Sequence, residues 1–260
     1  IGQFGEQKRK PLQFEQIPQS FIDALLAAED DGFFEHGGIE PLSLMRAVSE
    51  LLLTGKKGSG GSTLTMQVAR NYFLTLDQTF LRKFTEILLA FQIEARLSKE
   101  EIFELYVNLV FLGHRAYGFE AAAETYYGKP LAELTLAQHA MLAGVPKAPS
   151  RNNPLSNPEK GKIRRDWILG RMASLGMINE AEQVAAQDTP VTASFYGQVV
   201  EVDADYIAEM VRSEMVERFG NAAYNDGYVV YTTVEAELQQ AAHDAVLSGL
   251  RTYDWRHGWG

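Results

Sequence analysis

Two carboxylates stand side by side at Glu29-Asp30, followed by Phe33, His36 and Gly38. Phe21, Ala24, Leu25 and Ala28 recur before them at helical spacing, so the pair falls at a helix C-terminus. The peptide carbonyls there carry partial negative charge and disfavour another anion. Partial burial and the neighbouring Asp30 charge act in the same direction. Together these effects would raise the pKa of Glu29 toward the range a general base needs. A solvated acidic pair at an ordinary helix end accounts for the same residues.

A second group is Gly60-Gly61-Ser62-Thr63-x-Thr65-x-Gln67-x-x-Arg70. Paired glycines let a backbone come close to a ligand. A helix starting at Ser62-Thr63 would point free N–H groups at whatever precedes it, which suits an anion. Thr63, Gln67 and Arg70 share a face at i, i+4 and i+7, a set suited to phosphate or sugar. The nucleotide P-loop order of glycines, lysine and hydroxyl is absent. A capped helix after a flexible loop is the plainer account.

In the third group, Arg82-Lys83-x-x-Glu86, Leu81, Phe84, Ile87, Leu88 and Phe91 form one apolar stripe with the charges opposite. Intrahelical ion pairs of a few tenths of a kcal/mol each would explain it. The last group runs Lys99-x-x-Ile102-x-Glu104-x-Tyr106-x-Asn108, then Arg115-Ala116-Tyr117-Gly118 and Tyr126-Tyr127-Gly128-Lys129. Taken alone it reads as scaffold, with Glu104, Asn108 and Arg115 as a buried polar network. The five histidines have no metal-ligand spacing, and His139 reads as a residue on an ordinary helix face.

The elements that must hold these residues are mostly helices. The segment from Gln3 to Phe14 reads as a short strand or loop. A helix begins near Ser20, with Ser20 and Asp23 as an approximate capping box. Others run from Ser62 to Leu74, from after Asp77 to Leu97, and from the Ser98–Glu101 capping box to Leu109. The alanines at 121–123 suit close helix packing. Further helices span Thr135 to Ala143, Glu159 to Leu175 and Asn179 to Gln187. The four prolines between Val145 and Pro158 call for an irregular surface loop. After Pro190 the pattern changes to a helix from Ala204 to Phe219, a β-like stretch from Tyr228 to Val234 and a helix from Glu235 to Leu250. The chain therefore divides into a mainly α unit over residues 1–190 and a small α+β segment over 191–260.

Composition bounds the function. A net charge of −10 argues against a general nucleic-acid binder, and no nucleic-acid partner is expected. The lack of cysteine excludes disulfides. No stretch approaches the roughly 20 apolar residues needed to span a bilayer. The chain opens at Ile1 and stops after a helical pattern, so it reads as a piece of a longer protein.

Glu29-Asp30, Phe33 and His36, then Gly61-Ser62-Thr63, Thr65 and Gln67, then Arg82-Lys83 and Glu86, then Lys99 to Asn108, then Arg115-Ala116 and Tyr127-Gly128-Lys129, in this order, resemble the five motifs of the peptidoglycan glycosyltransferases, glycosyltransferase family 51. Residues 12 to 190 carry the likeness. Asp226-Gly227-Tyr228 to Thr233 and Tyr253 to Gly258 resemble the linker of Gram-negative class A penicillin-binding proteins of the 1A type. Met66 and Gln78 depart from the common pattern, where glutamine and a pyrophosphate-binding arginine are frequent.

The resemblance implies a lysozyme-like, two-lobed helical domain. Its smaller lobe, holding Pro41 to Thr54, would meet the membrane surface through Leu42, Leu44, Met45, Val48, Leu51 and Leu52, residues that suit a core helix equally. It implies polymerisation of a lipid-linked disaccharide-peptide, lipid II, onto a lipid-linked glycan strand, with inversion to a β-1,4 bond and release of undecaprenyl pyrophosphate. Glu29 would be the base, and Glu86 the second carboxylate, orienting cations, assisting departure or holding a divalent cation such as Mg or Mn. Asp30, His36, Ser62, Thr63, Gln67, Arg70, Arg82, Lys83, Asn108 and Arg115 would bind or support substrate. The parent would sit at the periplasmic face of the inner membrane, with a transmembrane anchor and a transpeptidase domain outside this chain. A hydrolase or lytic transglycosylase would share the glutamate but cut with two carboxylates across the bond. A non-catalytic glycan-binding scaffold would not need both Glu29 and Glu86.

Overall fold

The structure, a computed structural model, describes residues 8–41, 45, 61–73, 80–196, 202 and 204–258. The chain divides into two compact units, one of Gln7–Tyr196 and one that includes Gly197–Gly260. The first unit thus runs to Tyr196, where the sequence puts a boundary at residue 190.

The first unit opens with a two-residue strand, β1 (Lys8–Arg9), and then α1 (Gln19–Glu29), α2 (Leu64–Phe73), α3 (Phe80–Glu94) and α4 (Lys99–Leu109). Strand β2 (Ala116–Tyr117) pairs in parallel with β1. Helices α5 (Phe119–Tyr127), α6 (Leu136–Ala143), α7 (Pro158–Ser174) and α8 (Glu180–Asp188) complete it. The second unit holds α9 (Asp205–Phe219), the single turn α10 (Ala222–Asn225) and α11 (Ala236–His257). The mainly helical class read from the sequence is the class observed.

Helix α1 is central because it is apolar on most sides. Phe21, Ile22, Ala24, Leu25, Leu26 and Ala27 are all buried, packing with Phe33, Phe103, Phe119 and Leu142 in one core. A helix apolar all round must be covered all round. Three small residues let α5 approach closely: Ala121, Ala122 and Ala123 are buried. Gly118 starts it at φ +85°, where an added Cβ would lie 2.9 Å from the Asn108 carbonyl. Only glycine fits both the conformation and the space. Capping boxes open α4, α6 and α8 through Ser98–Glu101, Thr135–Gln138 and Asn179–Glu182.

Several expectations are corrected. The cap of α1 is Pro18, not Ser20. The Ser20 hydroxyl instead donates to Nδ1 of His139 at 2.9 Å, because His139 Nε2–H is spent on the Leu131 carbonyl at 2.9 Å. His139 is therefore a buried tie between α1 and α6, not a residue on an open helix face. The proline-rich loop is only partly superficial. Val145, Asn152 and Asn153 are buried, and Asn153 Nδ2 donates to the Tyr126 hydroxyl at 2.7 Å. Arg115 does not join a buried network. It is exposed at φ +63°, while Glu104 and Asn108 clamp the backbone of Phe14 and Leu12. Residues 227–235 form no strand, so the β-like stretch is extended chain, and α11 runs past Leu250 to His257. The predicted membrane stretch lies outside the described residues except for 41 and 45, where Met45 is exposed. Residues 55–60, with their glycines and lysines, and Gln78 also lie outside them.

The largest correction concerns α3. Its charged face points inward and its apolar face outward. Glu86 is 1% exposed, whereas Phe84 is 59%, Leu88 47% and Phe91 46% exposed. Surface ion pairs opposite a core stripe are the reverse of what the helix presents.

Candidate active site

Glu29 ends α1, and its two carboxylate oxygens have different surroundings. Oε2 accepts a hydrogen bond from Gln67 Nε2 at 3.0 Å. The Tyr106 hydroxyl, donating to Gln67 Oε1 at 3.4 Å, turns that amide so its N–H group faces the carboxylate. Oε1 is buried and has no hydrogen-bond partner among the described residues. The Nη2 of Arg164 stands 3.9 Å away, too far for a hydrogen bond. Burial is the main force on Glu29 and pushes its pKa up. The Gln67 bond and the charges of Arg164, Lys147 and Arg70 pull it partly back. Burial also drives the Tyr106 phenol well above its ordinary range, and Glu29 adds to the shift.

Asp30, the next residue, is committed elsewhere. His36 Nε2–H reaches its two oxygens at 2.9 and 3.1 Å, and the Leu64 N–H donates to Oδ2 at 2.9 Å. Gly38 N–H donates to His36 Nδ1 at 3.2 Å, which fixes that tautomer. Asp30 therefore occupies the N-terminus of α2, a favourable place for a carboxylate. The helix start, read from the sequence as a site for an outside anion, has its partner within the protein. Thr63 is spent in the same junction. Its hydroxyl donates to the Gly38 carbonyl at 2.6 Å and accepts from Met66 N–H at 3.2 Å. Gly38, at φ +88°, lies so close to α3 that a Cβ would meet Glu94 Cγ at 2.9 Å. Asp30, His36 and Thr63 thus lock the end of α1 to the start of α2.

The second carboxylate, Glu86, lies between two cations on its own helix. Arg82 Nη1 is 3.4 Å from Oε1, and Lys83 Nζ is 3.2 Å from Oε2. Lys83 also donates to Ser62 Oγ at 2.6 Å, tying α3 to the segment before α2. Burial lowers the Lys83 pKa, Glu86 opposes this, and Arg70 and Arg82 add to the lowering. The charge of Arg70 acts on Glu29, Tyr106 and Lys83 alike, so it connects the two carboxylate clusters. The structure therefore brings together Glu29, Gln67, Arg70, Ser62, Arg82, Lys83 and Glu86. Asn108 is occupied by its paired bonds with Leu12, and Arg115 lies exposed on the turn before β2.

The described side chains alone do not make up a divalent-cation cage. Among the described residues no three His, Asp or Glu side chains converge on a common point. Both Glu86 oxygens already face a cation, which would repel a dication. The charge compensation available to an anionic group here comes from Arg70, Arg82 and Lys83.

The chain is similar to known proteins over its whole length. The family described as Transglycosylase matches residues 1–173. The chain belongs to the transglycosylase family. It is 56% identical over 259 residues to penicillin-binding protein 1A of Pseudomonas aeruginosa, covering 100% of this chain and 32% of that protein. It is 43% identical over 259 residues to penicillin-binding protein 1A of Escherichia coli K12, covering 100% of this chain and 30% of that one. The crystal structure of penicillin-binding protein 1A from Haemophilus influenzae matches with a TM-score of 0.60 at 36% identity, over 100% of this chain and 29% of that chain. The chain thus spans about a third of the length of these relatives.

Two cations in this transglycosylase site escaped the sequence reading. Lys147 follows Pro146 in the loop after α6, and burial, with Arg164, lowers its pKa. Arg164 belongs to an Arg-Arg pair on α7. The neighbouring Arg165 turns the other way, donating to the Thr189 and Gln187 carbonyls at 2.7 and 2.8 Å and so closing the end of α8. The only sequence signal was a pair of cations on a polar helix. Nothing in the spacing said which of the two faces Glu29.

Proposed function

We propose that the chain polymerises peptidoglycan glycan strands from lipid II, a lipid-linked disaccharide-peptide. The growing lipid-linked strand is the donor and lipid II the acceptor. The acceptor sugar's 4-hydroxyl attacks the donor's anomeric carbon from the face opposite the leaving group. A β-1,4 C–O bond forms, the C–O bond to undecaprenyl pyrophosphate breaks, and the hydroxyl proton passes to Glu29. The observation that carries this reading is the Glu29 carboxylate, largely but not fully covered, with one oxygen held by Gln67 and the other unbonded among the described residues. An oxygen with a free lone pair on a carboxylate of raised pKa is what proton removal from an alcohol requires.

The leaving pyrophosphate needs charge compensation more than a proton. Arg70, Arg82 and Lys83 are the groups assigned to it, with Glu86 holding Arg82 and Lys83 in place. That pairing also speaks against a glycosidase. A hydrolase needs a second carboxyl free to act across the glycosidic bond, whereas each Glu86 oxygen faces a cation: Oε2 accepts a hydrogen bond from Lys83, and Oε1 lies 3.4 Å from Arg82 without a hydrogen bond among the described residues. The outward apolar face of α3, Phe84, Leu88 and Phe91, supports a location at a membrane surface, which the lipid chains of both substrates require. Among the described residues no helix is long and apolar enough to cross a membrane. We assign the site to the periplasmic face of the inner membrane.

The test is direct. The chain is incubated in detergent with labelled lipid II, and the products are separated by gel. Long labelled glycan is expected. Shortening of preformed glycan with lipid II untouched would replace this reading with a lytic one.

A further inference from the structure

Helix α1 stops at Glu29 because Asp30 leaves the helical region, at φ −166° and ψ 82°. The carbonyls of its last turn then need partners from outside the helix. Arg164 Nη2 supplies one, donating to the Ala28 carbonyl at 3.0 Å. Its guanidinium also lies 4.3 Å from the centre of the Trp167 ring, so the group is held from two sides. The same Nη2 stands 3.9 Å from Glu29 Oε1, the buried oxygen without a hydrogen bond.

We propose that Arg164 is a positioning residue for the base: anchored on the Ala28 carbonyl, it fixes the end of α1 and holds a positive charge beside Glu29 without occupying Oε1. This rests on the base role of Glu29 given above. A buried carboxylate with no cation nearby would keep its proton and could not accept another. A direct bidentate arginine would fill its lone pairs and make it a weak base. The 3.9 Å gap lies between these limits. The anchors on Ala28 and Trp167 keep the guanidinium from closing it.

The other charged groups facing Glu29 are Lys147 from the loop after α6 and Arg70 from α2, with the neutral Tyr106 phenol from α4. Lys147 is exposed, and Arg70 also acts on Lys83. Arg164 is the largest of the three cationic influences on Glu29.

Arg164→Gln removes the charge and Arg164→Lys keeps it. Polymerisation by each variant is followed from about pH 5 to pH 9, with the Glu29 carboxylate titrated in parallel by carbon-13 NMR, assigned against Glu29→Gln. Loss of a neighbouring cation should raise the acid limb and the carboxylate midpoint by about one pH unit. The rate at the acid edge then falls about tenfold, the alkaline plateau changes little, and Lys restores much of the limb. An unmoved limb with an equal loss at every pH would overturn the proposal, as would a Lys variant that folds but leaves the limb where Gln put it. Where the Gln variant melts below assay temperature, Arg164→Met fills similar volume and the carboxylate titration decides. Should Glu29→Gln itself stay active, the base reading fails first. With Glu29→Gln inactive and the limb unmoved, only the role of Arg164 fails.

Discussion

Glu29→Gln tests the chemistry with the least disturbance of the fold. The amide can turn its oxygen toward Gln67 Nε2 and keep the 3.0 Å bond. What it loses is the capacity of Oε1 to take a proton. General-base assistance is typically worth about 10²- to 10⁴-fold in rate. The lower end is expected, because the cations around the leaving group still act, so the loss should be about 10²-fold, or roughly 2.7 kcal/mol of barrier. The same change should stabilise the protein near neutral pH. Burial raises the pKa of Glu29 above its ordinary value of 4.5, so the folded state ionises it at a cost that the unfolded state does not bear. Below that ordinary value both states are protonated and the cost vanishes. As pH rises through the raised folded value the cost becomes complete. The melting temperature of the variant relative to the parent should therefore be higher at pH 7 than at pH 4. The assays are the lipid II gel and thermal melts at the two pH values. Retention of more than about a third of the activity would refute the reasoning and send the proton elsewhere, with Glu86 the next candidate. A melting difference that does not change with pH would show that Glu29 is not ionised against its burial.

Asp30→Asn should act on stability before chemistry, since it turns an amide N–H toward the Leu64 N–H or the His36 ring. A cost of about 1–3 kcal/mol is expected in thermal unfolding, with the acid limb of the pH profile unchanged; a moved limb would mean that Asp30 sets the charge of Glu29. Lys83→Ala should weaken pyrophosphate analogues and phosphoglycolipid inhibitors in a binding titration, and it also strips a cation from buried Glu86, so some loss of melting temperature accompanies it; unchanged affinity would reduce the lysine to a structural tie. Phe84→Ser, Leu88→Ser and Phe91→Ser together should lower binding to lipid vesicles more than they lower the melting temperature, because these side chains are already outside the core; the opposite ranking would place them in a protein contact.

Much of the fold was legible in the sequence because local signals agreed with it. The capping boxes at Ser98, Thr135 and Asn179 form as their residue types dictate, and the apolar run before Glu29 makes a helix that must be buried. The order of motifs identified the family, and Glu29, Gln67, Arg70, Arg82, Lys83 and Glu86 do converge. Helical periodicity fixes which residues share a face, but it does not say which face turns inward. In α3 the charged side wins the interior because Glu86 is paired with Arg82 and Lys83 on the same helix and Lys83 finds Ser62. The apolar side is left outside, the reverse of the ordinary expectation. Spacing likewise does not say which neighbours adjacent residues of like charge will meet, as with Glu29 and Asp30, or Arg164 and Arg165. A step of one residue along a helix is about 100° of rotation, so each pair is divided between different neighbours. Asp30 meets the start of α2 and Glu29 the buried amide of Gln67. Arg165 closes α8 while Arg164 reaches across 136 positions of sequence to the end of α1. Residue types and their order determined what chemistry was available. Only the tertiary packing decided which oxygen stays open and which cation stands beside it, because that depends on contacts between segments far apart in the chain.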